Sequence, residues 1–330
     1  MHLALGKGLR RAAARAGAIG AQAVQVFVDN PTAWKRRGAP PKHLDLFREQ
    51  MVELHVTPVA VHASYLVNLA GPDPDFRRRS IDVLASDMAV AGGYGASLVN
   101  VHTGSHRDTS VSEGIERVAE AVAAVLERHG GGAPGHQGVP SGDGDAAEPV
   151  LVLENAAGGG ASIGSSIEEH ARIAELAAAL GVPEARLAFC LDTAHAWGAG
   201  YAMDDPDGID AWLAEFDREL GLERLALIHL NDSRSERGSR SDRHEHVGAG
   251  RIGPRGFRHL LTHPLVQEKP FILETPGMDD GYDLINLERA RALIAGEDLP
   301  ALPPEAFLFK RRSAASAPAD DDLDLARKRR

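Results

Sequence analysis

The chain has 330 residues, 43% of them hydrophobic, enough for one large core or two modest ones, which excludes a disordered protein. Its 47 acidic residues outnumber 36 Lys and Arg for a net charge of −11, so bulk positive charge cannot bind nucleic acid and a local site must explain any such binding. One cysteine, Cys190, excludes an internal disulfide; with no 18-residue apolar run and no signal-peptide pattern, a reducing cytoplasm is expected and membrane spanning is not.

In chain order, short apolar runs occur at 23–28 (AVQVFV), 58–61 (PVAV), 97–101 (SLVNV), 149–153 (PVLVL), 187–191 (LAFCL), 225–228 (LALI) and 271–273 (FIL). Between them, apolar residues recur at i, i+3, i+4 over 42–55, 75–91, 112–129, 166–180, 208–220 and 283–295. The alternation predicts parallel strands with helical crossovers. Seven or eight such units in about 300 residues fit a (β/α)8 barrel, a single domain over 1–296. A doubly wound open sheet is the alternative, but no glycine-rich phosphate loop follows the first run. The eighth strand has only Leu3-Ala4-Leu5 as a candidate, cut short by Gly6, so the first strand is either stunted or starts upstream. Residues 130–149 hold seven glycines and three prolines and read as a flexible surface insertion. Residues 297–330 form a C-terminal extension, with 311–330 expected to be a disordered tail ending in a basic tip, Arg327-Lys328-Arg329-Arg330.

The residues at the ends of these runs carry the chemistry. PVAV runs into His62, LVNV into His102, VLVL into Glu154, FCL into Asp192, LALI into His229 and FIL into Glu274. In a parallel barrel these ends converge on the face where catalytic residues sit. One such histidine is ordinarily structural; six metal-ligand types at six strand ends are not a coincidence of packing. His195 and the pair Asp242 and His244 add three loop candidates, for five histidines and four carboxylates. Imidazole with carboxylate and no thiolate suits Zn²⁺ or Mn²⁺ in an open catalytic site, and nine donors exceed one ion and suggest a cluster. Bound cations would also reverse the local charge toward phosphate. Tyr65 and Leu66, in the loop directly after His62, sit where they could wedge into a base stack or simply close the loop. Cys190 reads as a small buried hydrophobe, Trp34 and Trp197 as packing residues, and His106, His129, His136, His170, His259 and His263 as solvated surface.

At these residues the sequence resembles the endonuclease IV family of apurinic/apyrimidinic endonucleases, over roughly residues 2–296. The matching signatures are His62-Ala63-Ser64-Tyr65-Leu66-Val67-Asn68-Leu69, Leu191-Asp192-Thr193-Ala194-His195, and Ile228-His229-Leu230-Asn231-Asp232-Ser233 followed by Asp242-Arg243-His244. Val101-His102-Thr103-Gly104-Ser105-His106, Leu153-Glu154-Asn155 and Leu273-Glu274-Thr275-Pro276 also resemble family segments. The resemblance implies a (β/α)8 barrel with three zinc ions, manganese replacing part of them in some cases. His62 and His102 would hold the first, with Glu154 bridging to the second; Asp192, His229 and Glu274 would complete the second; His195, Asp242 and His244 would hold the third. Ala194 stands where many members have a non-ligand cysteine, and the start lacks the family's full first strand.

The implied activity is hydrolysis of duplex DNA on the 5′ side of abasic sites, leaving a 3′-hydroxyl and a 5′-deoxyribose phosphate, with removal of blocking groups from 3′ ends. Glu154 would position the hydroxide nucleophile, Tyr65 and Leu66 would contact DNA, and a monomer is favoured. Two other readings remain open: a metal-dependent sugar isomerase or epimerase on a related barrel, which needs only one or two ions, and an abasic-DNA binding protein whose catalysis is lost with its short first strand.

Overall fold

The computed structural model describes residues 1–130 and 148–308. Chain order runs β1 (His2–Leu3), α1 (Leu9–Ile19), β2 (Val24–Val26), α2 (Leu44–Glu53), β3 (Val59–His62), α3 (Pro74–Ala91), β4 (Ala96–His102), α4 (Val111–Gly130), β5 (Val150–Glu154), α5 (Ile167–Ala179) and β6 (Leu187–Asp192). It continues with α6 (Thr193–Ala199), α7 (Pro206–Leu220), β7 (Leu225–His229), a small hairpin of β8 (Asp232–Ser233) and β9 (His244–Glu245), α8 (Gly253–Thr262), β10 (Phe271–Ile272) and α9 (Tyr282–Ala295). All seven strand runs and all six helical segments read from the sequence are present, and α1, α6 and α8 are additions.

Eight strands form one parallel sheet in the order β1-β2-β3-β4-β5-β6-β7-β10, the arrangement of a (β/α)8 barrel. The first strand is as short as expected, yet it closes the ring: His2 and Leu3 pair with Gln25 and Val26 on one side, and the His2 N–H donates to the Leu273 carbonyl at 2.9 Å on the other. The insertion expected at 130–149 falls almost wholly outside the described residues, as does the tail at 311–330. Among the described residues, no helix is long and apolar enough to cross a membrane.

Helices pack their apolar stripes on the outside of the strands, with Phe47, Trp212, Phe216 and Phe257 fully buried. Each such side chain contributes roughly 1.5–3 kcal/mol by leaving water. Capping sets the crossover ends. Asp73 accepts the N–H groups of Asp75 and Phe76 ahead of α3, and the Ser166 hydroxyl accepts the Glu169 N–H at the start of α5. His170 corrects the surface reading: it lies on the stripe of α5 with Ile167, Ile173 and Ala177, buried edge-on against Phe189. A polar residue on an otherwise apolar helical face is carried inward with that face.

Inside the barrel, side chains alternate along each strand. Ala60, Val152, Cys190 and Leu227 make one closed layer. Two residues further along the same strands come His62, Glu154, Asp192 and His229, which therefore form the next layer, at the C-terminal mouth.

Candidate metal centre

The nine side chains singled out from the sequence lie together at this mouth. Glu154 is at the centre and wholly buried: its Oε2 is 3.4 Å from both His62 Nε2 and His102 Nε2, and its Oε1 is 3.2 Å from His195 Nδ1 and 3.3 Å from His229 Nδ1. His229 Nδ1 also lies 3.7 Å from Asp192 and 3.5 Å from Glu274. Asp242 stands 3.3 Å from His195 Nε2 and 3.1 Å from His244 Nε2, and Asp192 is 3.7 Å from His244. Three groups with donor atoms within 4.8 Å of one another result: His62, His102 and Glu154; Glu154, Asp192, His229 and Glu274; Asp192, His195 and His244.

Local structure aims these groups. Asp192 ends β6 and caps α6, accepting the His195 N–H at 2.8 Å, which places His195 one turn away on the same side. The segment carrying Asp242 and His244 is strapped to α6 by Gly238 N–H to Trp197 O, Arg240 N–H to Gly198 O, and the Trp197 indole N–H to Ser235 O. Asp232, at the hairpin base, accepts the N–H groups of Ser233, Gly250, Ile252 and Gly253. Burial outweighs those four bonds and raises its carboxyl to about 6. Gly250 must be glycine, since a Cβ there would sit 2.4 Å from the Ser233 carbonyl.

The imidazoles are oriented from behind. His62 Nδ1 faces the Ala63 carbonyl at 2.8 Å, His195 Nδ1 the Asn155 carbonyl at 2.8 Å and His244 Nδ1 the Glu274 carbonyl at 3.1 Å. A carbonyl only accepts, so in each neutral ring the proton sits on Nδ1 and the Nε2 lone pair points to the centre, the usual support of a metal-binding histidine. The carboxylates are braced by amides: Asn100 donates to Glu154 at 2.5 Å and Asn231 to Asp192 at 2.6 Å.

Burial alone would raise Glu154 and Glu274, but the charge on His229, with His102 beside the first and His2 beside the second, holds both below the ordinary carboxylate range. Burial alone would lower His195 and His229, yet the carboxylates of Asp192 and Asp242 around the first, and of Glu274 and Glu154 around the second, hold both well above the ordinary imidazole value. Without a cation, protons on the histidines balance the charge of Glu154 and Glu274, which stay ionised. A metal fits better: Glu154 Oε1, His229 Nδ1 and His244 Nε2 are buried without any hydrogen-bond partner, and all three point into the cluster. Three orphaned donors, with only nitrogen and oxygen in the set, match borderline divalent cations.

Cys190 is buried, as expected of a small hydrophobe, and sequence reading misses four amides here. Cys190 lies within ligand reach of Glu154 and His229, but burial pushes its thiol up to about 12, so it stays neutral and forms the floor. Gln25, Asn100, Asn155 and Asn231 are not singled out by residue type alone; the available signal is an amide within or beside each apolar run. Tyr65 is exposed at the rim, 5.8 Å from His62 and edge-on to Phe27, with Leu66 half-buried beside it. Trp34 packs on Phe76, as expected of a packing residue. On the outer helices, Asp210, His259 and His263 also cluster. There the Leu265 N–H approaches His263 Nδ1 at 3.3 Å, leaving its proton on Nε2 toward Asp210, a hydrogen bond and not a ligand geometry.

The family model of the xylose isomerase-like TIM barrel matches residues 12–301. The "Probable endonuclease 4" of Halothermothrix orenii is 36% identical over 291 residues, covering 87% of this chain and 98% of that protein. The chain belongs to the endonuclease IV family. The crystal structure of endonuclease IV from Thermus thermophilus superposes with a TM-score of 0.73 at 34% identity, over 90% of this chain and 98% of that one. A D-tagatose 3-epimerase-like protein, at 15% identity and a TM-score of 0.61 over 89% of this chain and 98% of its own, shares the fold alone. Membership in the endonuclease IV family makes this chain a hydrolytic nuclease.

Proposed function

We propose that this endonuclease IV family member hydrolyses the phosphodiester on the 5′ side of abasic sites in duplex DNA, leaving a 3′-hydroxyl and a 5′-deoxyribose phosphate, and that it clears blocking groups from 3′ ends. The observation that carries the reading is the convergence of five histidines and four carboxylates around Glu154, with three buried donor atoms unpartnered. His62, His102 and Glu154 would hold one zinc ion, Glu154, Asp192, His229 and Glu274 a second, and His195, Asp242 and His244 a third, with manganese as a partial substitute. When bound, such ions supply Lewis acidity, drawing charge off phosphate oxygens and making water acidic near neutral pH.

The chain's own residues do the rest. Glu154 offers one oxygen to the His62 and His102 side and the other to the His195 and His229 side, and Asn100 keeps that carboxylate from rotating. In this arrangement Glu154 positions the nucleophile by orientation, and no separate general base is required. Exposed Arg107, Arg237, Arg240 and Arg243, in loops beyond the strand ends, are suited to hold the phosphate backbone despite the net charge of −11. Tyr65 and Leu66 at the rim would fill the space left by a flipped abasic sugar, a step made easy by the absent base.

Sugar isomerisation on a related barrel is the weaker reading, because one or two ions would leave part of the nine-residue cluster unused. Loss of catalysis through the short first strand is weaker too, since His2 and Leu3 still complete the ring. The test is a labelled duplex with one abasic analogue, incubated without added magnesium, with metal counted on the same sample. Incision with about three zinc ions per chain is expected. Binding without incision, or fewer than two ions, would overturn the reading.

A further inference from the structure

Three of the histidines facing the cluster are held from behind by backbone carbonyls; His229 is held by a side chain. Its Nε2 lies 3.1 Å from the Gln25 Oε1, and the Gln25 Nε2 lies 2.7 Å from Glu274 Oε1 and 3.1 Å from His2 Nδ1. Gln25 is wholly buried, the middle residue of β2, between two valines that face the hydrophobic core. A buried amide in a three-residue apolar strand is costly unless both of its ends are satisfied, and here both are satisfied by cluster residues.

Only one orientation of the amide satisfies both ends. The Glu274 carboxylate is acceptor-only, so it takes the NH₂ end. The carbonyl end therefore faces His229, which must carry its proton on Nε2. The Nδ1 lone pair is then left toward Glu154, Asp192 and Glu274, where that atom has no hydrogen-bond partner. His62, His195 and His244 present Nε2; His229 alone of these four presents Nδ1.

We infer that Gln25 is the positioning residue of the second ion site: one amide couples Glu274 to His229 and selects Nδ1 as the donor atom. The inference rests on the reading of those two residues as ligands. It also gives the short N-terminal strands a role in the reaction, since His2 pairs with Gln25 in register and closes the same corner.

The experiment uses the full chain loaded with zinc, comparing wild type with Gln25→Met, which keeps the shape and removes both hydrogen bonds, and Gln25→Glu, which keeps an acceptor for His229 but sets a carboxylate against Glu274. Stepwise removal by a competing chelator counts ions and their retention. Correlated ¹H–¹⁵N spectra of histidine-labelled protein read the His229 Nε2–H, assigned by its loss in His229→Gln. Gln25→Met is expected to release one ion about 10–100-fold more readily and to lose protection of that N–H against exchange. Gln25→Glu should retain the protected N–H and still hold the ion more weakly. Retention within twofold of wild type in both variants would overturn the inference while leaving the proposed function standing. A wild type that takes up zinc yet leaves abasic DNA uncut overturns the function and not the role of Gln25, and one that takes up no zinc overturns both. If Gln25→Met does not fold, Gln25→Glu decides alone: unchanged ion retention rejects the inference.

Discussion

The indole N–H of Trp197 donates to the carbonyl of Ser235 at 2.8 Å, tying the helix that carries His195 to the segment that carries Asp242 and His244. The two elements are distant in sequence and must keep their mutual position if three donors are to share one cation.

Trp197→Phe removes that bond and keeps most of the packing. A lost hydrogen bond of this kind is worth about 1 kcal/mol, or roughly a fivefold change in an equilibrium constant. The variant is expected to hold the ion between His195, Asp242 and His244 about fivefold more weakly, with little change in the others, as read by chelator competition. Equal retention of every ion would show that backbone bonds alone hold the segment.

Glu154→Gln removes the charge at the centre of four histidines. Groups that merely support a metal ligand typically cost about 10–100-fold in metal affinity or activity when removed, so loss of the ligand carboxylate itself should lower incision of abasic duplex by roughly 10²-fold or more. The fold should survive, since Asn100 can still contact an amide oxygen. Single-turnover cleavage and circular dichroism on the same preparation check both halves, and near-normal incision would end the central role of Glu154.

Tyr65→Ala should leave the cluster intact and weaken discrimination of abasic from intact duplex. Aromatic contacts to nucleic acid are worth about 1–3 kcal/mol, so the ratio of the two affinities should drop by about tenfold. The readout is a pair of binding isotherms at one salt concentration; an unchanged ratio excludes a wedge.

His244 sets a pH dependence. Burial alone would lower it, but the Asp242 carboxylate 3.1 Å away and the charge on Asp192 raise it to about 9 from 6.5. A folded pKa above the unfolded one means that this pairing stabilises the metal-free protein fully below pH 6.5 and is lost as pH rises through 9. The cation must displace that proton, so zinc affinity should climb across the same window, by up to about tenfold per pH unit for each proton released. Zinc titration calorimetry in two buffers of different ionisation enthalpy measures the release; buffer-independent heats would refute it.

Much of this site is legible along the chain because the relevant rule is local. Side chains of a strand alternate, and parallel strands of a barrel end on one face, so a ligand-type residue at the end of each apolar run points to a common mouth without knowledge of which strands are neighbours. His62, His102, Glu154, Asp192 and His229 follow from that rule. His195 follows from the capping offset after Asp192. Ala60, Val152, Cys190 and Leu227 follow as the layer two residues below, which is why Cys190 is a floor residue.

What the chain order leaves undecided is everything that depends on contacts across the ring. The two residues of β1 look too few for a strand until Leu273, at the other end of the chain, accepts the His2 N–H. Gln25 looks misplaced in an apolar run until Glu274 and His229, 249 and 204 residues away, meet its two ends. Periodicity and residue type encode the alternation of elements and the identity of the converging donors. Which nitrogen of His62, His195, His229 and His244 faces the centre depends on contacts across the fold, because a hydrogen bond fixes a tautomer only when the folded chain brings its partner within about 3 Å.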